Sequence, residues 1–195
     1  MPFTLTGPTE FSEEIRKSRF ITLAAPIGSA TDAQAFIEQH SDLNATHNCW
    51  AWKLGAQYRS TDDGEPGGTA GRPILAAIDA QDFDRVVVLA IRWYGGIQLG
   101  TGGLARAYGG GANKCLQQAA RVALINRVPL HFECTFSELA LIKLRLAELN
   151  GVVEEERFNA NGVGLSIALA PDSIDTLGRQ LSDISRGRIV LQRAQ

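Results

Sequence analysis

Six apolar residues in a row, Val86-Val-Val-Leu-Ala-Ile91, constrain this chain more than any other stretch. The run is far shorter than the roughly 20 residues a membrane helix needs. Its β-branched content suits a strand. A strand with no polar alternation has no face for water, so it is predicted to be central in a sheet covered on both sides. Arg92 stands where the run ends, and Gly95-Gly-Ile-Gln-Leu-Gly100-Thr-Gly-Gly103 follows. A long helix is predicted to open near Thr101 and to continue to about Ala123.

Glycine usage divides the chain. Of 20 glycines, 13 fall between Gly55 and Gly111, whereas residues 129–161 hold only Gly151. The contrast predicts two domains, 1–128 and 129–195, with a short joint near Asn126 to Pro129. In the second, Leu139, Ile142, Leu146 and Leu149 recur at helical spacing, and so do Ile174, Leu177, Leu181 and Ile184. Ser137 and Asp172 are the candidate caps. Strands are predicted over 129–136, 152–158, 163–169 and 188–192, which gives the order β-α-β-β-α-β of ferredoxin-like folds. In the first, strands are expected at Arg19 to Ala25 and His47 to Leu54, helices at Thr31 to His40 and Ile74 to Ile78, and a loop from Arg59 to Gly68. The fold class is α+β.

Composition excludes several function classes. With 45% hydrophobic and 21% charged residues the chain can bury a sizeable core. The first residues lack the basic and apolar pattern of a signal peptide and no apolar run approaches a membrane span, so neither secretion nor membrane insertion is expected, and three widely spaced cysteines, Cys49, Cys115 and Cys134, suggest neither disulfides nor zinc. A cytoplasmic protein without metal or cofactor is expected. The net charge of −2 offers no global attraction to nucleic acid. Residues 1–127 carry 12 basic and 12 acidic side chains and the remainder 7 and 9, so a basic face belongs in the first domain.

The residues that could carry chemistry lie between Lys53 and Lys114. A buried strand feeding a glycine-rich turn at a helix start collects free N–H groups and the positive end of a helix dipole. The candidate nucleic-acid or anion contacts are Lys53, Arg59, Arg72, Arg92, Tyr94, Gly100, Thr101, Arg106, Tyr108 and Lys114. Trp93, Tyr94 and Tyr108 are candidates to stack on bases. The spacing matches neither a Walker A loop nor a dinucleotide fingerprint. A structural reading competes, because Gly103, Ala107 and Gly111 form a small-residue stripe that lets a helix lie close to a sheet. Asp62, Asp63 and Glu65 form either a solvated turn or a functional carboxylate set acting with His47 and Arg92, as in a small hydrolase or transferase. His47 and Cys49 sit nearly 7 Å apart along a strand, too far for a nucleophile–base pair.

Arg59-Ser-Thr-Asp-Asp-Gly-Glu-Pro-Gly-Gly-Thr-Ala-Gly71-Arg-Pro73 together with Arg92-Trp-Tyr-Gly-Gly-Ile-Gln-Leu-Gly100-Thr-Gly-Gly-Leu-Ala-Arg-Ala-Tyr108 resembles the signature of the IMPACT/YigZ family. The resemblance runs through about two thirds of the chain, and the C-terminal part is similar to the domain attached in the bacterial YigZ branch. It implies a first domain like the second domain of ribosomal protein S5 and a ferredoxin-like second domain, a pairing similar to the last two domains of elongation factor G. It also implies a link to translation, since eukaryotic relatives restrain a starvation-responsive kinase by competing for its ribosome-associated activator. This chain opens almost directly on the shared domain, where those relatives carry a preceding one, and that partnership is not carried over. The family brings no catalytic residues. The expected role is translation-associated regulation through ribosomal or other structured RNA, or a translation-associated protein. A protein-interaction module would instead be marked by a large exposed apolar patch.

Overall fold

A computed structural model describes residues 2–193 and divides into two compact units, 1–124 and 125–195. The first unit runs β1 (Phe3–Leu5), β2 (Thr9–Ile15), β3 (Ser18–Pro26), α1 (Ala30–His40), β4 (His47–Leu54), β5 (Gln57–Thr61), α2 (Gly71–Ala80), β6 (Val86–Trp93), α3 (Gly100–Gln117) and β7 (Arg121–Ala123). The second runs β8 (Val128–Cys134), α4 (Phe136–Glu148), β9 (Val152–Phe158), β10 (Val163–Leu169), α5 (Ile174–Ser185) and β11 (Gln192–Arg193). Together they make an α+β protein, an S5-domain-2-like unit joined to a ferredoxin-like one.

The apolar run is the middle strand of an antiparallel five-stranded sheet with order β2-β3-β6-β4-β5. Val86, Val88 and Ala90 pack with α2 and α3 through Ile74, Ile78, Leu104 and Ala112, while Val87 joins Ile27, Ala33, Ile37 and Trp52 under α1 on the opposite face. Each of the valine, leucine and isoleucine side chains among them contributes roughly 1.5–3 kcal/mol by leaving water. The small-residue stripe is packed as its spacing implied, since a Cβ on Gly111 would stand 3.0 Å from Thr22 Oγ1.

In the second unit the sheet order β11-β8-β10-β9 is the ferredoxin-like arrangement. Leu130, Phe132, Leu165 and Ile167 on one face of the sheet meet Ile142 and Leu146 of α4 and Leu177 and Leu181 of α5.

Several boundaries differ from the sequence reading. The strand β5 includes Arg59, Ser60 and Thr61, because a register with Trp50 to Leu54 extends the hairpin into the expected loop. Helix α3 ends at Gln117, and Arg121–Ala123 turn into a strand that pairs with Phe3–Leu5 from the far end of the unit. The cap of α4 is Thr135, not Ser137, through a reciprocal capping box with Glu138. Asp172 lies in a single 3-10 turn ahead of α5. The final strand is reduced, among the described residues, to Gln192–Arg193.

Candidate functional site

The centre of the first unit is polar where its neighbours are apolar. The strand β6 delivers Arg92 at its end, and β4 delivers His47 directly opposite, in register. Arg92 is 4% exposed. Its Nη1 donates to Glu65 Oε1 at 2.6 Å, and its Nη2 donates to Ser18 Oγ at 3.3 Å. The guanidinium also lies 5.6 Å from the Phe20 ring centre and 5.4 Å from that of Tyr94. Its Nε, also buried, has no hydrogen-bond partner.

Glu65 reaches this position because its loop is folded inward by the two aspartates before it. Asp62 accepts from the backbone N–H groups of Gly68 at 2.7 Å, Ala70 at 3.0 Å and Gly71 at 2.8 Å, so it caps α2 from outside the helix. Burial pushes the Asp62 carboxyl up, but those three donors outweigh it and hold the group below its ordinary value. Asp63 accepts from the N–H of Asn48 at 2.6 Å. The close seat of Gly71 explains its lack of a side chain: a Cβ there would stand 2.7 Å from the Thr61 carbonyl oxygen.

Tyr108, from α3, closes the arrangement by donating to Glu65 Oε1 at 2.7 Å while its ring meets Phe20 edge-on at 5.4 Å. Burial pushes its hydroxyl well above the ordinary phenol value. His47 Nδ1 lies 2.7 Å from the Asp63 carbonyl oxygen, which only accepts, so Nδ1 carries the proton. His47 Nε2 is left 3.7 Å from Glu65 Oε2. Burial pushes the Cys49 thiol up to about 12, against a lowering hydrogen bond with Tyr108, which makes it a poor nucleophile at neutral pH.

Above this network lies a cleft of about 460 Å³, lined by Thr46, His47, Glu65, Pro66, Arg92, Tyr94, Gln98, Leu99, Gly100, Thr101 and Leu104. Its far side is the first turn of α3. Gly100 takes φ +72°, a left-handed conformation that favours glycine. The cap position is Leu99, no side chain caps the helix, and its first turn holds no acidic residue. A second groove, of about 260 Å³, shares Leu99 and runs between β2 and α3, with Glu13, Arg16, Arg106 and Lys114 among its lining.

The cleft therefore unites His47, Glu65, Arg92, Tyr94, Gly100 and Thr101, and the groove unites Arg106 and Lys114, the latter ion-paired with Glu13. Lys53 lies six residues along β4 from His47, about 20 Å away, and binds Asp79 at 2.6 Å. Arg59 on β5 and Arg72 on α2 are exposed and line neither cavity. Two roles expected from the sequence do not fit the geometry. Tyr108 is 1% exposed, so its ring cannot stack on a base. Arg92 has two nitrogens committed within the core, so it shapes the cleft from beneath and is not an outward phosphate contact.

The carboxylates do not converge as a hydrolase set either: Asp62 and Asp63 bind backbone, and Glu65 alone enters the cleft. Among the described residues no three His, Cys, Asp or Glu side chains group as a metal site, and no helix is long and apolar enough to cross a membrane. Sequence reading missed Ser18, Thr46 and Arg16. Ser18 and Thr46 had no signal, since each bonds across the sheet, whereas the Arg16-Lys17 pair before β3 was a visible basic doublet.

Residues 16–116 match the profile of the Impact N-terminal domain, and residues 132–188 match a domain of unknown function, DUF1949. An IMPACT family member in the pol 5′ region of Thermus thermophilus is 42% identical over 178 residues, covering 90% of this chain and 97% of that protein. IMPACT family member YigZ of Escherichia coli strain K12 is 37% identical over 194 residues, 95% of this chain and 94% of that one. Protein IMPACT of Xenopus laevis is 33% identical over 95 residues, 44% of this chain and 30% of that protein. A crystal structure described as that of a hypothetical protein superposes with TM-score 0.66 at 36% identity, covering 99% of this chain and 97% of the other.

Proposed function

The chain belongs to the IMPACT family, and on that premise we propose that it is a translation-associated regulatory protein whose N-terminal unit binds structured RNA, on the ribosome or free of it. The observation that carries the reading is the groove beside α3, where Arg16, Arg106 and Lys114 gather around one acidic residue, Glu13, in a chain whose net charge is negative. Tyr94, 46% exposed, offers an aromatic face in the neighbouring cleft, which shares Leu99 with the groove. Arginine and lysine with an accessible ring are the equipment for phosphate contact and base stacking. The cytosol, where three buried free thiols are kept reduced, is the proposed compartment.

Titration of labelled structured RNA at two salt concentrations tests the reading. Three phosphate contacts predict a slope of log K against log salt of about −2. Arg106→Ala is expected to reduce that slope by about one. Weak binding indifferent to salt and to Arg106→Ala would remove the proposal.

A further inference from the structure

Two hydrogen-bond acceptors stand side by side in the cleft with no donor between them. Glu65 Oε1 takes the donations of both Arg92 and Tyr108. Glu65 Oε2 accepts no hydrogen bond among the described residues, and its neighbour is His47 Nε2 at 3.7 Å. With the His47 proton on Nδ1, held by the Asp63 carbonyl, Nε2 of the neutral imidazole is an acceptor as well. The Glu65 side chain is 3% exposed. Among the described residues, the side-chain polar atoms sealed from solvent without a partner are Arg92 Nε and Gln180 Oε1. Oε2 is therefore unbonded but not sealed, and it opens on the cleft that Glu65 and His47 both line. A side chain so deeply buried seldom leaves a carboxylate oxygen unmet.

The surroundings select the kind of donor that fits. Arg92 already balances the charge of Glu65, so an incoming ammonium finds no uncompensated anion. It also meets the Arg92 guanidinium, 5.4 Å from the Tyr94 ring centre, and the positive end of α3. An anion faces two acceptors. A neutral N–H donor suits both acceptors and the charge balance. Tyr94, Leu99 and Leu104 supply apolar wall, and a volume of about 460 Å³ falls within the range of small-molecule sites. The cleft shares Leu99 with the cationic groove, so a strand whose phosphates follow the groove brings a base to the cleft.

We infer that the cleft is a slot for an unpaired nucleobase bearing an exocyclic amino group. One amino N–H donates to Glu65 Oε2, the other to His47 Nε2, and the ring lies against Tyr94. Adenine, cytosine and guanine carry such a group and uracil does not. Splayed bases held by an aromatic ring and by hydrogen bonds at their edges are the usual targets of sequence-specific RNA recognition. The inference rests on the RNA reading and deepens it, adding base selection to the backbone contacts of the groove.

The test uses the full chain and an RNA hairpin whose loop holds adenosine, cytidine and guanosine. A second hairpin carries purine riboside, 2-pyrimidinone riboside and inosine at those positions, and so lacks only the amino groups. Affinities come from titration of the labelled hairpins. The histidine ring nitrogens are followed by NMR with each hairpin and with free adenosine, cytidine and guanosine. The chain has three histidines, and of these His47 alone lines the cleft.

The expected result is about tenfold tighter binding of the amino-bearing hairpin, the equivalent of 1.4 kcal/mol, with a shift of the His47 Nε2 resonance that the second hairpin does not produce. His47→Leu should cut that preference to about threefold or less and leave the affinity for the amino-free hairpin unchanged. The parent's own resonance decides should that variant fail to fold. A preference undiminished in His47→Leu overturns the slot. Equal affinity for the two hairpins with His47 Nε2 silent overturns it too, and the groove reading stands if binding still falls with salt and with Arg106→Ala. A His47 Nε2 response to the free nucleosides without RNA binding does the reverse, keeping the slot as a nucleoside site and removing the RNA reading. No response to hairpins or nucleosides removes both.

Discussion

In the N-terminal unit the layer between sheet and helices holds a buried arginine, a buried glutamate and a buried tyrosine bound to one another. In the C-terminal unit the same layer is aliphatic apart from Phe132 and Cys134. Its only buried polar or charged residue, among those described, is Ser185, whose hydroxyl donates to the Leu181 carbonyl within its own helix. Both units pack helices against a sheet face, so burying Arg92 and Glu65 is no requirement of that packing. A buried ion pair contributes little net stability compared with apolar packing. Where one unit keeps such a pair beside a cleft and the other does without, the polar unit is the place to look for function.

The sharpest way to break this contrast is to remove one partner. Arg92→Ala leaves Glu65 buried without its cation and is expected to destabilise the first unit by about 3–5 kcal/mol. All three tryptophans, Trp50, Trp52 and Trp93, lie in this unit, so tryptophan fluorescence during urea denaturation reports it alone. The double replacement Arg92→Met with Glu65→Leu should recover most of the loss, because neither charge is then stranded. A cost below about 1 kcal/mol for the single variant would mean the pair is not the organising feature claimed.

The counterpart in the second unit is Leu146→Ala. Leu146 is 1% exposed, and its truncation should cost about 3 kcal/mol through the cavity it leaves. Hydrogen exchange of residues 128–193 should register that loss, while tryptophan fluorescence and RNA binding stay as in the parent. A coupled loss of RNA binding would erase the division of labour.

Asp62→Asn comes next. The amide keeps one acceptor oxygen for three N–H groups and turns a donor toward them, for a cost of about 2 kcal/mol in the first unit. The pH dependence has a definite sign. Asp62 is held below its ordinary value in the folded chain, so its contribution is complete above the ordinary carboxylate range, near 4, and fades as pH falls through the folded value. Acid should therefore weaken the parent's first unit more than that of Asp62→Asn, and parallel acid profiles by tryptophan fluorescence would contradict the capping role. The smallest effect is Thr135→Ala, which removes the capping box of α4 for about 1 kcal/mol, confined to the second unit.

The same contrast governs what could be read from residues alone. In the second unit each helix face repeats at regular spacing and the turn at Asn159 to Gly162 is rich in turn formers, so elements and order follow from local chemistry. Even its missed cap was legible, as Thr135 and Glu138 three residues on. In the first unit the central strand announces itself, but β2, Thr9-Glu-Phe-Ser-Glu-Glu-Ile15, is an edge strand whose charges hide its alternation. The pairing of β1 with β7 joins residues from opposite ends of the unit and has no local signal.

At the site, Arg92 was conspicuous after six apolar residues. The inward turn of Glu65 was not, because Asp-Gly and Pro-Gly around it are the marks of a solvated turn. Only the capping of α2 by Asp62, through N–H groups six to nine residues further on, reverses that expectation. Arg16 reaches the groove through the β2–β3 turn, and its partners Arg106 and Lys114 lie far along the chain.

The most direct test of the central claim is hydrogen exchange of the full chain with and without a structured RNA. The account predicts slowed exchange over residues 13–17 and 94–114, with residues 128–193 unchanged. Protection confined to the C-terminal unit, with the groove and the start of α3 unaffected, would contradict it.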